Sequence, residues 1–263
     1  ASTDKEEVRS ALATAAAEIG AHLELYGPAD AEVEAVELGE RGQLVELRTG
    51  RTAYRLRSRL GGRHQLDNLR LAVRAAELLA DTGFSRIGRR AIEEGIAACA
   101  WPGRLEWIAL GEAGEVLLDG AHNPAGLRVL TRYLRSLVQP FSLVFGMLRE
   151  KVDPEVVADL WGLAEVVAVT RPDSDRALEP AELAAMVGVE PDFVTPDAGR
   201  GLRWALDRSE LTVVCGSLYL VGELRGWLRE RYGVPDPVER LFTSPPAASE
   251  PAVAVQADEA TEP

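Results

Sequence analysis

One stretch near the middle of the chain constrains the fold more than any other. Residues 116–118 are apolar and run directly into Asp119. The run shows no alternation of polar and apolar residues, which favours a strand buried on both faces, as in a parallel sheet. Gly120 then permits a sharp turn, and Asn123 followed by Pro124 is typical of a helix start. Because leucines follow at helical spacing, this stretch predicts a strand, a turn and a helix.

Three polar residues of this stretch, Asp119, His122 and Asn123, should therefore stand at the carboxyl end of a sheet strand. In open α/β sheets, ligands bind at that edge. A plainer interpretation stays open at this point, in which Asp119 and Asn123 only cap the helix and His122 is a solvated loop residue. The local pattern does not separate the two.

After residue 115, strand and helix patterns alternate, which predicts a Rossmann-like α/β fold with a mostly parallel sheet and helices on both faces. The predicted strands are 115–118, 142–145, 166–169, 192–194 and 211–215. The loops at their carboxyl ends should share one rim of the sheet. We therefore expect one ligand to be met by side chains that are far apart in the sequence: Asp119, His122, Arg149, Lys151 and Ser217.

The first hundred residues show a different pattern. Short strands are predicted at 22–26, 33–38, 44–48 and 52–60, followed by two helices. A break in the helical pattern at residues 101–104 marks a domain boundary, which we place between residues 102 and 103. Residues 239–263 are rich in proline, alanine and acids, so we expect a disordered acidic tail.

Two further features suit a phosphate. Gln65 and Asn68 fall in the first turn of a helix, where unpaired amides favour anions. Arg104 lies between a glycine and a predicted strand, where a guanidinium is well placed to meet a phosphate with two hydrogen bonds. The plainer alternatives are that His64 and Asn68 only cap the helix and that Arg104 forms a surface ion pair.

Composition narrows the class of protein. The formal net charge of −13 argues against a general nucleic-acid or membrane partner. No apolar run has the length of a membrane span or the form of a signal peptide. Cys99 and Cys215 lie in apolar surroundings and are expected to be buried, reduced thiols. We therefore expect a cytoplasmic protein.

Five segments occur in the order and spacing of one protein family. They are Gly62-Arg63-His64-Gln65-Leu66-Asp67-Asn68, Pro102-Gly103-Arg104-Leu105-Glu106, Leu117-Leu118-Asp119-Gly120-Ala121-His122-Asn123-Pro124, Phe145-Gly146-Met147-Leu148-Arg149-Glu150-Lys151 and Cys215-Gly216-Ser217-Leu218-Tyr219. With these segments the chain resembles the folylpolyglutamate synthase / dihydrofolate synthase family, within the Mur ligase superfamily. The resemblance implies a monomeric ligase that uses ATP and Mg²⁺. Such an enzyme adds L-glutamate to dihydropteroate or to folyl-polyglutamates through an acyl-phosphate intermediate.

The resemblance also implies roles for single residues. Asn68, Arg104 and Asp119 should bind ATP. His122 and Ser217 should take part in glutamate binding, and His122 and Lys151 in catalysis. Lys151 stands in a loop that is usually rich in Asp-Lys-Asp, whereas the sequence here is Glu150-Lys151-Val152-Asp153, so the spacing of the acids differs.

The sequence lacks one motif that the family contains, its phosphate loop. No G-x-x-x-x-G-K-[ST] phosphate loop occurs, and in the family that loop and the magnesium ligands precede this region. We therefore expect residues 1–102 to be the end of a central, ATP-binding domain and residues 103–238 to be a glutamate-ligase domain. We expect the isolated chain to bind ATP weakly and to form no amide.

Two other classes of function are alternatives to the ligase. A non-catalytic nucleotide-binding or regulatory module of the same family is favoured by the missing phosphate loop. The retained motif residues favour the ligase instead. A Rossmann oxidoreductase or methyltransferase is disfavoured, because no G-x-G-x-x-G opens the α/β half of the chain.

Overall fold

The computed structural model describes residues 1–236 apart from positions 2, 4, 28, 40 and 138. The expected acidic tail, residues 239–263, lies outside the described residues. The helices are α1 (Glu6–Glu18), α2 (Gln65–Asp81), α3 (Arg89–Ala98), α4 (Pro124–Leu134), α5 (Pro154–Trp161), α6 (Pro180–Val187), α7 (Ala198–Leu206) and α8 (Leu218–Tyr232). The strands are β1 (Glu32–Gly39), β2 (Gly42–Arg48), β3 (Ala53–Ser58), β4 (Glu106–Ala109), β5 (Glu115–Leu118), β6 (Ser142–Phe145), β7 (Val166–Val169), β8 (Phe193–Val194) and β9 (Leu211–Cys215).

The amino-terminal part of the chain contains an antiparallel sheet of three strands in the order β1-β2-β3. Along β3, Tyr54 and Leu56 are buried while Arg55 and Arg57 are exposed, as the alternation of side chains in a half-buried strand requires. The buried face packs in one apolar cluster with residues of α2 and α3. The strand predicted at 22–26 is wrong: its Tyr26 N–H donates to the carbonyl of Ala1, and the segment does not join the sheet.

The second sheet has six strands in the order β4-β5-β9-β6-β7-β8. β4 runs antiparallel to β5, and all other pairs are parallel. The predicted mostly parallel α/β sheet is therefore confirmed. The strand predicted at 192–194 is shorter than expected and covers only Phe193–Val194.

The central strands are covered on both faces, which explains their continuous apolar runs. Leu117 belongs to one apolar core, which includes residues of α4, α5 and α6. Val116 and Leu118 belong to the core on the opposite face, together with residues of α7 and α8. Cys215 is fully buried in the first core, whereas Cys99 is only partly buried, so the expectation of two buried thiols is half correct.

The turns that follow the central strands are in close contact at the carboxyl edge of the sheet. Gly216, after β9, donates its N–H to the carbonyl oxygen of Ala121, after β5, at 2.9 Å. Gly216 has φ 102°, and a Cβ at this position would lie 2.5 Å from the carbonyl oxygen of Gly146, after β6. Only glycine allows this approach.

Among the described residues, no helix is both long and apolar enough to cross a membrane.

Candidate functional site

Asp119 joins the segment before β4 to the turn after β5. One carboxylate oxygen, Oδ2, accepts the backbone N–H of Leu105 at 3.0 Å. The other, Oδ1, accepts the N–H of Ala121 at 2.9 Å. Burial raises the pKa of Asp119, and the two backbone hydrogen bonds and the charge of Arg104 oppose that rise. The plainer interpretation of Asp119 as a helix cap is wrong, because neither N–H belongs to α4.

The segment that carries Arg104 has an unusual backbone. Gly103 has φ 69° and Leu105 has φ 44°, a conformation that leucine rarely adopts. Strain of this kind costs roughly 1–3 kcal/mol and persists only where the surroundings enforce it. Here Leu105 is buried, its N–H is bound by Asp119, and the carbonyl oxygen of Gly103 accepts the N–H of Gly120 at 2.6 Å.

Glu106 fixes the same segment from the other side. Its Oε2 accepts the N–H of Gly103 at 2.8 Å. Its two oxygens also accept Nε of Arg225, on α8, at 3.1 and 3.2 Å. The backbone around Arg104 is therefore held by two carboxylates. Arg104 itself is exposed, with its guanidinium carbon 6.0 Å from the ring centre of Trp101.

Residues of the turn after β5 and of the segment that carries Arg104 line a cavity of about 490 Å³, which we name the Asp119 cavity. Arg104, Asp119 and His122 all line it, together with Trp101 and His64. The remaining lining is mostly apolar and comes from the segment around Arg104, the turn after β5, α4 and Leu218. An acid, a guanidinium and two imidazoles from three separate segments thus face one concave space at the carboxyl edge of the sheet. Such a place is typical of ligand sites in α/β folds.

The two ring nitrogens of His122 differ in their contacts. Its Nδ1 lies 2.8 Å from the carbonyl oxygen of Gly120. Since a carbonyl oxygen only accepts, Nδ1 must carry a proton and donate it. Among the described residues, no hydrogen bond to Nε2 is present. Nε2 therefore accepts a hydrogen bond when the ring is neutral and donates one when the ring is charged.

His64 reaches the cavity from the amino-terminal part of the chain. Its Nε2 lies 3.0 Å from Nε2 of Gln65, and since an amide nitrogen only donates, the histidine nitrogen accepts. Burial lowers the pKa of His64, and the charges of Arg104 and Arg132 lower it further. A neutral imidazole follows from both observations. The plainer role of a helix cap is wrong for His64, because α2 begins without a side-chain cap hydrogen bond.

Asn68 does not line the Asp119 cavity. Its Nδ2 donates to Oε1 of the buried Gln65 at 2.7 Å, which continues the hydrogen-bond chain from His64. Asn68 instead lines a neighbouring cavity of about 330 Å³. Trp101 and Arg104 line both cavities. An extended ligand with one part in each cavity would therefore meet Arg104 in the middle.

Ser217 and Asn123 hold helix starts. Oγ of Ser217 is buried at the start of α8 and accepts the N–H of Tyr219 at 3.2 Å. Oδ1 of Asn123 accepts the N–H of Gly126 at 2.9 Å and caps α4, so the cap interpretation is correct for Asn123. Ser217 does not line the Asp119 cavity, although the next residue, Leu218, does.

Lys151 and Arg149 also lie outside the Asp119 cavity. Both belong to a short 3₁₀ helix, Arg149–Lys151, that follows β6. Arg149 makes a bidentate ion pair with Glu182 on α6, which draws its side chain along the sheet edge, away from β5. The structure thus groups Asp119 and His122 with Arg104 and does not group them with Arg149, Lys151 or Ser217. In the part of the chain that is described, no set of three or more His, Cys, Asp and Glu side chains is placed to hold a metal ion.

Comparison with known proteins gives a consistent result. Residues 103–218 match the family described as Mur ligase, glutamate ligase domain. The chain is 28% identical over 194 residues to the dihydrofolate synthase/folylpolyglutamate synthase of Bacillus subtilis, a match of 72% of this chain and 45% of that protein. It is 32% identical over 170 residues to the folylpolyglutamate synthase of Lacticaseibacillus casei, a match of 63% of this chain and 39% of that protein.

Among solved structures, the chain is similar to the Mycobacterium tuberculosis folylpolyglutamate synthase complexed with ADP and AMPPCP. The TM-score is 0.71 at 26% identity, and the match covers 84% of this chain and 53% of that one. The chain therefore spans about half the length of the proteins that it matches.

Proposed function

Because the chain belongs to the folylpolyglutamate synthase / dihydrofolate synthase family of the Mur ligase superfamily, we propose that it forms part of an ATP-dependent ligase. The ligase adds L-glutamate to dihydropteroate, to a folyl-polyglutamate, or to both. In this chemistry ATP phosphorylates a carboxylate, and the glutamate amine attacks the acyl phosphate, so that an amide forms and phosphate leaves. The reaction requires a held nucleotide, positive charge at the transferring phosphoryl group and an amine placed near the acyl carbon.

The observation that carries this proposal is the convergence of Arg104, Asp119 and His122 on one cavity at the carboxyl edge of the sheet. Arg104 is exposed and makes no ion pair with a carboxylate of the described residues, so its five N–H donors are available to phosphate oxygens. Each oxygen of Asp119 already accepts one backbone N–H and retains a second lone pair for a ribose hydroxyl. Asn68 lines the neighbouring cavity and is proposed to meet the same nucleotide there.

His122 and Ser217 are proposed for glutamate. Nε2 of His122 is the nitrogen that would face a carboxylate or the amine. Ser217 is buried and already caps α8, which supports a role in positioning the turn beside Ala121. We also propose that Lys151 acts in catalysis. This role requires the turn Arg149–Lys151 to move, because Lys151 does not line the cavity.

The proposal divides the chain into the end of a central domain, residues 1–102, and a glutamate-ligase domain, residues 103–238. Among the described residues, no group of three or more His, Cys, Asp and Glu side chains is placed to hold Mg²⁺. Without a phosphate loop, we expect this chain alone to bind ATP weakly and to form no amide.

The experiment is a chimera in which residues 1–236 follow the part of the Bacillus subtilis relative that precedes the matched region. With ATP, glutamate and dihydropteroate, we expect the chimera to form the amide and the isolated chain to form none. Arg104→Gln in the chimera should lower the rate by at least about tenfold, since a charged hydrogen bond is worth about 1.5–3 kcal/mol. Arg57→Gln, on the exposed face of β3, is the matched control and should not change it.

The outcomes separate the two candidate functions. A folded chimera that binds ADP but forms no amide would favour the non-catalytic nucleotide-binding module. Equal activity of the Arg104→Gln and Arg57→Gln chimeras would remove Arg104 from the site.

A further inference from the structure

Residues of α7, the end of α8 and the segment after α7 form a surface where arginines lie close to aromatic rings. We define the arginine–aromatic surface by Arg200, Arg203, Arg208, Arg231, Trp204 and Trp227. None of these residues lines the Asp119 cavity or its neighbour. The surface is thus a feature that the proposed ligase reaction does not use.

The rings form a platform. Trp204 stacks on Phe193 with ring centres 4.9 Å apart and an interplanar angle of 7°. The guanidinium carbon of Arg208 lies 3.7 Å from the centre of the Trp204 ring. Trp227 packs closely over α7, because a Cβ at Gly199 would lie 2.8 Å from its Nε1. The platform therefore continues from α7 onto α8.

The same rings hold the other guanidiniums. Arg203 and Arg231 lie over Trp227, with guanidinium carbons 6.0 and 5.8 Å from the ring centre. Arg200 lies 5.6 Å from the ring centre of Phe193. On α7, residues 200, 203 and 204 recur at helical spacing, so the arginines and the tryptophan share one face.

The positive charge of this surface is not neutralised by the described residues. None of the four arginines makes an ion pair with a carboxylate in the described part of the chain. α7 contains two arginines and no acid. Two acids flank this helix. Asp197 caps its start by accepting the N–H of Arg200, and Asp207 is exposed at its end. Nη1 of Arg208 donates to the carbonyl oxygen of Trp204 at 2.6 Å, and its other N–H donors suit carboxylates, as do those of the other three arginines. The surface therefore fits an acidic, unstructured peptide better than an apolar partner.

We propose that residues 244–263 of the same chain bind to the arginine–aromatic surface. This segment contains four carboxylates, those of Glu250, Asp258, Glu259 and Glu262, and neither lysine nor arginine. It also contains Pro251, Val253 and Val255, whose apolar groups suit the partly exposed side chains of Trp204 and Trp227. In a chain of net charge −13, this basic and aromatic surface is the complement of that segment in both charge and polarity.

The geometry of the chain allows this contact. Asp236, the last described residue, lies 3.6 Å from Nη1 of Arg229, so the chain is still close to α8 at residue 236. The 14 residues from Asp236 to Glu250 span up to roughly 45 Å when extended. α7, with nine residues, is only about 13 Å long. The segment can therefore reach every arginine of the surface, and the short tether favours it over free competitors.

The test uses the full chain labelled with ¹⁵N, whose five tryptophans each give one indole N–H signal. In the tail variant, Glu250→Gln, Asp258→Asn, Glu259→Gln and Glu262→Gln remove the four carboxylates. We expect the signals of Trp204 and Trp227 to move between parent and tail variant, while that of the buried Trp161 stays in place. The difference should vanish in about 1 M salt, where charges are screened beyond about 3 Å.

The surface variant Arg200→Gln/Arg203→Gln/Arg208→Gln/Arg231→Gln gives the reciprocal measurement. In this background, neutralising the tail should leave the indole signals unchanged. The matched control, Arg55→Gln/Arg57→Gln on β3, should retain the full response to tail neutralisation. Identical Trp204 and Trp227 signals in parent and tail variant would overturn the proposal. So would signals that change only with protein concentration, which would indicate a second copy of the chain on this surface.

Discussion

The Asp119 carboxylate accepts the backbone N–H of Leu105 at 3.0 Å and thereby holds a leucine at a positive φ of 44°. The Leu105 side chain is buried in the apolar core that includes Leu117, and this contact stabilises the fold. One residue at the carboxyl end of β5 thus fixes the segment that carries Arg104. This coupling links the stability of the fold to the geometry of the Asp119 cavity.

Replacing Asp119 by Asn should test that coupling. An amide has one accepting oxygen, so one of the two N–H groups, of Leu105 or Ala121, loses its partner. We expect the free energy of unfolding to fall by about 1–3 kcal/mol, as for a buried donor left unsatisfied. Urea unfolding measures this, and Asp207→Asn, at an exposed acid, is the control. A loss no larger than that of the control would contradict the role of Asp119 as a clamp.

The pKa of Asp119 should make this contribution depend on pH. Burial raises the pKa above its ordinary value of 3.8, so the folded state binds more protons than the unfolded state between the two pKa values. The stabilisation is therefore complete below pH 3.8 and is lost as the pH rises through the folded-state pKa. We expect the stability difference between parent and Asp119→Asn to shrink over that interval. Unfolding curves at several pH values report it, and a difference that grows with pH would show the opposite sign.

His64 should titrate below its ordinary pKa of 6.5. Burial is the main cause, and Arg104 disfavours the imidazolium by charge repulsion. Arg104→Gln should therefore raise the pKa of His64 without restoring it fully to 6.5, since burial remains. The ring C–H signals in a proton NMR titration measure the midpoint. Arg57→Gln is the matched control, and an equal midpoint in both variants would mean that Arg104 does not act on His64.

Two glycines near α8 should respond to alanine in opposite ways. Gly216→Ala forces a Cβ to within 2.5 Å of a backbone oxygen at φ 102°, so we expect severe destabilisation or loss of the folded protein. Gly222 lies within α8, and a Cβ there meets nothing within 4 Å. Gly222→Ala should stabilise by about 0.5–1 kcal/mol through helix propensity. Thermal unfolding compares the two, and similar midpoints would refute the close approach at Gly216.

Glu77 should control the ionisation of Tyr54. Glu77 is buried on α2, and its Oε1 accepts the hydroxyl of Tyr54 at 2.9 Å and that of Thr49 at 2.7 Å. Burial and this carboxylate raise the pKa of Tyr54 to about 12. Glu77→Gln removes the negative charge, so the pKa should fall towards 10 while burial keeps it above that value. Alkaline absorbance titration measures it, with Tyr54→Phe to assign the signal; an unchanged pKa would leave burial as the sole cause.

Much of the fold follows from local pattern, because strand 115–118, the turn and α4 each depend on residues close in sequence. The meeting of Asp119 and His122 with Arg104 does not follow from the rule that turns after parallel strands share one edge. Arg104 precedes β4, and it reaches the same edge because β4 runs antiparallel to β5 and begins beside the end of that strand. The positions of Lys151 and Ser217 also differ from the expectation that they share one ligand with Asp119. The turn at Lys151 is drawn towards α6 by the Arg149–Glu182 ion pair, and the sequence gives no sign of that pairing.

The position of His64 in the Asp119 cavity also could not be predicted from the sequence. His64 lines the cavity only because the amino-terminal part of the chain packs against the segment around Arg104, a contact between regions about forty residues apart. The same dependence on packing explains the strand wrongly predicted at 22–26. Its apolar alternation is genuine, but Tyr26 is buried against the amino-terminal core without a sheet partner.

The backbone around Arg104 is already immobilised by Glu106, Gly120 and Asp119, whereas its guanidinium extends into open space. Capture of an anion by this arginine therefore freezes only side-chain rotations, at about 0.5–1.5 kcal/mol. Ordering the main chain as well would add about 1–2 kcal/mol for each residue. Because the main chain around Arg104 is already ordered in the folded protein, anion binding does not carry this cost. The same anion would therefore bind more weakly to an arginine on a mobile loop.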